Sequence, residues 1–235
     1  MLEKILPYEK SLFFFINGSY SYFTDCVMWL FSGGVIWIPI AIFLLTVIVY
    51  KKKWQVWLPL LIAITILFIC CDQFSSAVCK PFFARLRPTH YPGIEEYVRT
   101  IYDYTGGKYG FISGHATNSF GFAMLTALLF RNRYYSIVIY IWASILSYSR
   151  IYLGVHFVSD VLAGAVAGSI IGVLVYLLYH FSQKRILRDN FSAQPYSTQQ
   201  IKLITVVLAS YILSIILFSE LLIYIFETNL FSLAL

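Results

Sequence analysis

The chain has 235 residues, of which 60% are hydrophobic, 19% aromatic and only 12% charged, and its mean hydropathy of +0.76 excludes an ordinary water-soluble domain. At roughly 20 apolar residues per crossing, about five to seven spans in one all-α membrane bundle account for this length. The formal net charge of +6 does not indicate nucleic acid, because the basic residues sit in short clusters between apolar runs, where they orient spans.

Residues 1–22 mix charge with Leu2, Ile5, Leu6, Leu12, Phe13, Phe14 and Phe15, which predicts an N-terminal interfacial helix, with Asn17-Gly18 marking a turn. No small-residue cleavage site follows an apolar core, so no cleaved signal peptide is expected. The uncharged run 26–50 predicts the first span, and Lys51, Lys52 and Lys53 close it. A second span is expected over 54–79, continuing past Asp72. Residues 80–114, carrying Lys80, Arg85, Arg87, Glu95, Glu96, Arg99, Asp103 and Lys108, read as one long polar loop. Further spans are predicted at about 114–130, 134–148, 156–180 and 203–226, with a tight turn at Arg131-Asn132-Arg133. The total is six transmembrane helices. The cysteines, Cys26, Cys70, Cys71 and Cys79, lack zinc-ligand spacing and read as small buried residues.

In this topology Lys51 to Lys53, Arg131 to Arg133 and the segment 184–202 share one side, which the positive-inside tendency makes cytoplasmic. The loop 80–114, the segment 150–156 and both termini are then expected on the outer side.

That outer side holds the chemistry. His156 and Asp160, if helical, stand one turn apart on one face, where the carboxylate accepts an imidazole N–H, orients the ring and raises its basicity. Lys80, Arg87 and Arg150 add fixed cations, Ser113 and Gly114 add hydroxyl and backbone donors, and His115 is a second proton-active group. Such a set suits a phosphate: guanidinium forks bind its oxygens bidentately, an ammonium adds a point charge, and glycine lets backbone N–H groups approach.

The order Lys80 then Arg87-Pro88, Ser113-Gly114-His115, and Ser149-Arg150 with His156 and Asp160 resembles the three-part signature of type-2 phosphatidic acid phosphatases, specifically their membrane-bound bacterial branch. The resemblance implies a lipid phosphatase with His156 as nucleophile through a phosphohistidine, Asp160 as its orienting carboxylate and His115 as general acid. It also implies that Lys80, Arg87, Ser113, Gly114 and Arg150 bind phosphate, with no metal ion or cofactor. The substrate would be a membrane lipid phosphate met at the bilayer edge, undecaprenyl diphosphate or a broad range of glycerolipid phosphates, with lipid A as the alternative. A bacterial inner-membrane location with an outward site follows from the same resemblance. A vanadate-dependent haloperoxidase and a non-enzymatic lipid-phosphate binder or transporter are the alternatives from other classes. One departure is Ile112, where the family usually has proline, which would pre-set the turn; without it either the His115 loop is modestly looser or tertiary packing holds it.

Other residues leave alternatives open. Arg85 either contacts phosphate or snorkels, and Asp72 either pairs with a site cation or lies at the outer water boundary. Glu95, Glu96, Arg99 and Asp103 read as solvated, and His90 and His180 as packing residues. Gly164, Gly168 and Gly172 recur every four residues, drifting ~40° per step around a helix, while Ala163 and Ala167 lie nearly beneath His156. This small-residue face either seats the catalytic helix against a neighbour or supports a homodimer, so monomer and homodimer both remain open.

Overall fold

The computed structural model describes residues 5–188, 192 and 194–232; Leu2, Glu3 and Lys4 of the expected interfacial helix lie outside the described residues. Helix α1, Leu6–Gly18, carries Pro7 in its first turn and divides cleanly into two faces. Tyr8, Leu12 and Phe15 are exposed, whereas Glu9, Phe13, Ile16 and Asn17 are buried. Asn17 is therefore part of the helix, not of the expected turn.

The expected first span is two helices. Ser21 and Thr24 form a capping box that starts α2, Tyr22–Ser32. The pair Gly33-Gly34 then interrupts the rod, and α3, Ile38–Val49, continues at a bend of 71°. Hydropathy sees one apolar run here; the two adjacent glycines allow the chain to turn.

Helix α4 runs through Trp54–Phe83, including a π-helical stretch at Gln73–Cys79, until Ala84 adopts a left-handed φ of 45°. Lys80 consequently sits inside the helix, and the polar loop starts four residues later than expected. Helices α5, Gly114–Phe130, α6, Arg133–Tyr152, α7, Val158–Leu187, α8, Thr198–Leu217, and α9, Ser219–Ser232, follow. Among the described residues there is no strand.

The all-α membrane bundle predicted from composition holds. Helices α4, α7 and α8 are each long and apolar enough to cross a bilayer, and the bent α2–α3 pair makes a fourth span when counted as one. Helices α5 and α6, of 17 and 20 residues, pack inside the same bundle. The last span ends at Leu217 instead of 226; α9 turns off to pack against α2, and Tyr102 Oη donates to Glu227 Oε1 at 2.8 Å. At one end of the bundle the basic connections meet, since Lys52 Nζ donates to the Pro195 carbonyl at 2.8 Å and Gln194 Nε2 to that of Phe130 at 3.0 Å. At the other end, loop 84–113 is zipped shut by Arg87 N–H to Lys108 O at 3.1 Å and Gly110 N–H to Arg85 O at 2.8 Å.

Cys26, Cys71 and Cys79 are buried as expected, but Cys70 is exposed.

A glycine seam fixes α7 against α5. A Cβ on Gly164 would lie 2.7 Å from the Ser113 carbonyl, one on Gly168 2.1 Å from that of Thr117, and one on Gly172 2.6 Å from that of Gly121. The glycines themselves form the contact, while Ala163 and Ala167 are only half-buried. Because α5 of the same chain covers Gly164, Gly168 and Gly172, these three glycines offer no surface to a second copy. Side chains cannot enter so close an approach, which in lipid is stabilised by packing and not by expulsion of water. Gly168→Ala should therefore lower Tm in detergent, an overpacking cost of about 1–3 kcal/mol, with the elution volume on size exclusion unchanged; an unaltered Tm would contradict the seam.

Candidate active site

Asp160, in the first turn of α7 and fully buried, joins three stretches of chain. Its carboxylate accepts the Phe157 N–H at 3.0 Å, closing the helix N-terminus, and Arg85 Nη1 at 2.7 Å. Its carbonyl accepts the Ser113 N–H at 3.0 Å. Its Oδ2 also stands 3.4 Å from His156 Nδ1, a charge-pair distance longer than an ordinary hydrogen bond.

His156 is not helical, contrary to the one-turn spacing expected of it. It lies in the turn between α6 and α7, where Gly154 has a φ of +74° and a Cβ there would stand 2.5 Å from Val98 Cγ1. The imidazole is buried, and Asp160 reaches it because the first turn of α7 folds back over that loop. Burial, then the charges of Arg87, Arg150 and Lys80, hold His156 well below the usual imidazole range. Its ring is thus neutral near pH 7, with a lone pair available on one nitrogen.

The cations around it are held in a distinctive way. Arg87 donates from Nε to the Tyr109 carbonyl and from Nη1 to that of Val155, both at 3.2 Å. Arg150, buried at the end of α6, donates from Nη1 to Ser32 Oγ and from Nη2 to Tyr104 Oη at 3.0 Å, and its Nε is buried without a hydrogen-bond partner. Lys80 Nζ donates to Ser76 Oγ at 3.1 Å, and Ser76 Oγ in turn to Asp72 Oδ1 at 3.4 Å. Asp72 is therefore linked to a site cation at one remove. Among the described residues none of Arg87, Arg150 and Lys80 has a carboxylate at ion-pair distance.

Ser113 caps α5, its Oγ accepting the Ala116 N–H at 3.5 Å. Helix geometry leaves the N–H groups of Gly114 and His115 without helical acceptors, a setting suited to an anion. The His115 side chain opens into a cavity of about 200 Å³ shared with Trp29, Ser32, Gly33, Tyr104 and Arg150. Ile112 is buried at 3% exposure and the Ser113 N–H that follows it is held by the Asp160 carbonyl at 3.0 Å, which accords with the second of the two expectations, a turn held by tertiary packing.

The structure thus brings together Lys80, Arg87, Ser113, Gly114, His115, Arg150, His156 and Asp160 as the motif order predicts. Arg85 differs from both expectations for it. It is buried, stacks over the Phe157 ring at 4.5 Å, and is neutralised by Asp160 and by Glu9 of α1. Arg99 is not simply solvated: it pairs with Asp25 and lies 4.2 Å over the Tyr20 ring, whereas Glu95, Glu96 and Asp103 are exposed as expected. His90 hydrogen-bonds Thr89 at 3.0 Å, and His180 packs beside Tyr176. Sequence reasoning missed Glu9, Ser32 and Tyr104. For Glu9 a signal existed, since it shares the helical face of Phe13 and Ile16 and is an acid on an apolar stripe.

A model of the PAP2 superfamily matches residues 54–184. The chain is 38% identical over 222 residues to a lipid A 4'-phosphatase of Porphyromonas gingivalis, covering 93% of this chain and 94% of that one. A lipid A 4'-phosphatase of Bacteroides thetaiotaomicron is 37% identical over 191 residues, covering 81% and 85%. The crystal structure of Aquifex aeolicus LpxE superposes with a TM-score of 0.54 at 26% identity, covering 71% of this chain and 93% of that one.

The sign of the His156 shift is testable without turnover. In histidine NMR of the free protein its ring should stay neutral at pH 6, and Arg87→Gln, which removes one of the charges opposing protonation, should move its midpoint upward. A wild-type midpoint at or above 6.5 would contradict the electrostatics described.

Proposed function

Because the chain belongs to the PAP2 superfamily and is a membrane lipid phosphatase, we propose that it removes a phosphomonoester from an acylated amino sugar of the lipid A kind, at the outer face of a bacterial inner membrane. The observation that carries the phosphate reading is the set of three cations without carboxylate partners around a neutral, buried imidazole. The two lipid A phosphatases, similar over most of the chain, support the choice of lipid over the polyprenyl diphosphate or glycerolipid phosphate also expected from the motifs.

In this reading Lys80, Arg87, Arg150 and the N–H groups at the start of α5 hold the phosphate oxygens, with Ser113 fixing that start. His156 faces Asp160 through Nδ1, so Nε2 is the nitrogen that attacks phosphorus. The P–O bond to the sugar breaks and its electron pair leaves on the oxygen; His115, which takes up a proton once the phosphate dianion offsets the neighbouring charges of Arg150, Arg87 and Lys80, supplies it to that oxygen. Water, deprotonated by His115, then cleaves the phosphohistidine, releasing inorganic phosphate and restoring both rings. Asp160 stabilises the positive charge that the attacking ring acquires, and the fixed cations stabilise the equatorial oxygens.

Phosphate release by purified protein across lipid A, phosphatidic acid and undecaprenyl diphosphate should be fastest with lipid A. His156→Ala should abolish it, His115→Ala should reduce it by at least about 100-fold, and EDTA should leave it unchanged. Faster release from either other lipid would replace the substrate, activity in His156→Ala the nucleophile, and loss in EDTA the metal-free chemistry. For orientation, a cysteine in place of Lys52 should label only from the cytoplasm and one in place of Glu95 only from outside; the reverse pattern would move the site to the cytoplasmic face.

A further inference from the structure

Helix α1 touches the segment that carries His156 at two points, one on each side of it. Before the histidine, Asn17 Nδ2 donates to the Tyr152 carbonyl at 2.9 Å and to the Arg99 carbonyl at 2.9 Å, while its Oδ1 accepts the Arg99 N–H at 2.9 Å. After it, Glu9 Oε2 accepts the Ser159 N–H at 2.9 Å and Glu9 Oε1 the Ser159 hydroxyl at 3.1 Å. Glu9 Oε1 also meets Arg85, whose other nitrogen holds Asp160 at 2.7 Å. Glu9, Asn17 and Arg85 are all buried. The opposite face of the same helix exposes Tyr8, Leu12 and Phe15, as a helix lying in a membrane interface would.

We infer that α1 is a clamp on the nucleophile segment, with Glu9 and Asn17 as positioning residues that set where His156 and Asp160 stand. The inference rests on His156 being the nucleophile. Glu9 acts through two routes. It takes an otherwise unpaired N–H at the start of α7, where a carboxylate is favoured by the helix dipole. It also shares the Arg85 guanidinium with Asp160, so the carboxylate that faces His156 is fixed by a buried charge instead of by a mobile solvent. Asn17 fixes the other end, where the chain leaves α6. Neither residue touches the cavity at His115, so their loss should not alter binding of a lipid phosphate.

The experiment compares phosphate release by full-length Glu9→Gln, Glu9→Ala and Asn17→Ala, from lipid A and from phosphatidic acid in mixed micelles, with the amount of folded protein measured by size exclusion. Misplacing a reacting group by about 1 Å costs on the order of 100-fold. The expected outcome is that Glu9→Ala lowers kcat by about that much and Asn17→Ala by less. Glu9→Gln, which keeps an acceptor for Ser159, should fall between wild type and Glu9→Ala, with KM within about twofold throughout. Rapid-quench capture of the phosphoenzyme should slow in parallel, and Tyr8→Ala on the exposed face should match wild type. Unchanged kcat in Glu9→Ala, or a loss that appears only in KM or disappears on correction for folded protein, would overturn the clamp. His156→Ala is run beside them: if it retains turnover, the nucleophile reading has failed, whereas an inactive His156→Ala with a normal Glu9→Ala rejects the clamp alone.

Discussion

The buried carboxylate of Asp160 is the contact on which the rest of the site depends. Taking a carboxylate out of water costs several kcal/mol, and that cost is offset only when charge and hydrogen bonds surround it. Here the carboxylate is held by Arg85 from the loop after α4 and by the Phe157 N–H from the turn before α7, while the backbone carbonyl of the same residue takes the Ser113 N–H at the start of α5. The motif residues lie within a few positions of these anchors, Arg87 beside Arg85, His115 beside Ser113 and His156 beside Phe157. One buried residue, through its carboxylate and its backbone carbonyl, therefore draws the candidate phosphate-binding and proton-active groups together, without each needing its own long-range contact.

The glycine seam carries the same arrangement into the bilayer. Gly164 approaches the carbonyl of Ser113, which caps α5, and Gly168 and Gly172 repeat the approach one and two turns further on. Sliding α7 past α5 by one residue would place a side chain where backbone meets backbone. The register between the helix that begins just before His115 and the helix that begins just after His156 is thus fixed by steric exclusion along its length, while Asp160 fixes it at the end. Two independent constraints act on one relative position, as a site requiring sub-ångström placement demands.

Much of this was readable from the chain itself. The all-α membrane class and the gathering of the motif residues at one end of the bundle follow from charge pattern and spacing, because ionisable residues are too costly near lipid to be scattered freely. Helix boundaries were less legible for local reasons. Hydropathy does not register the Gly33-Gly34 break, and it cannot tell that Lys80 remains in a helix through a π-helical stretch. The partners of Arg85 were hidden for a different reason. Glu9 lies 76 residues away in sequence, and composition shows that a buried arginine needs an acid but not which acid supplies it. Snorkelling and phosphate binding were both reasonable for Arg85 until a third use, a structural ion pair, was visible.

The two kinds of arginine explain where a phosphate would go. Arg85 and Arg99 each have a carboxylate, so their charge is spent within the fold. Arg87 and Arg150 meet only carbonyls and hydroxyls, and Lys80 a hydroxyl, so their charge is solvated by dipoles and left uncancelled. Dipoles compensate a desolvated cation less completely than an anion does. A dianion among the three would therefore lower their electrostatic energy, and Arg150 Nε is buried without a hydrogen-bond partner. Burial first, and then this uncancelled charge, hold His156 below the usual imidazole range, and a bound phosphate would reduce the repulsion that a protonated ring experiences. Under the proposed mechanism, binding of the group to be cleaved and stabilisation of the charge placed on His156 would have one physical origin.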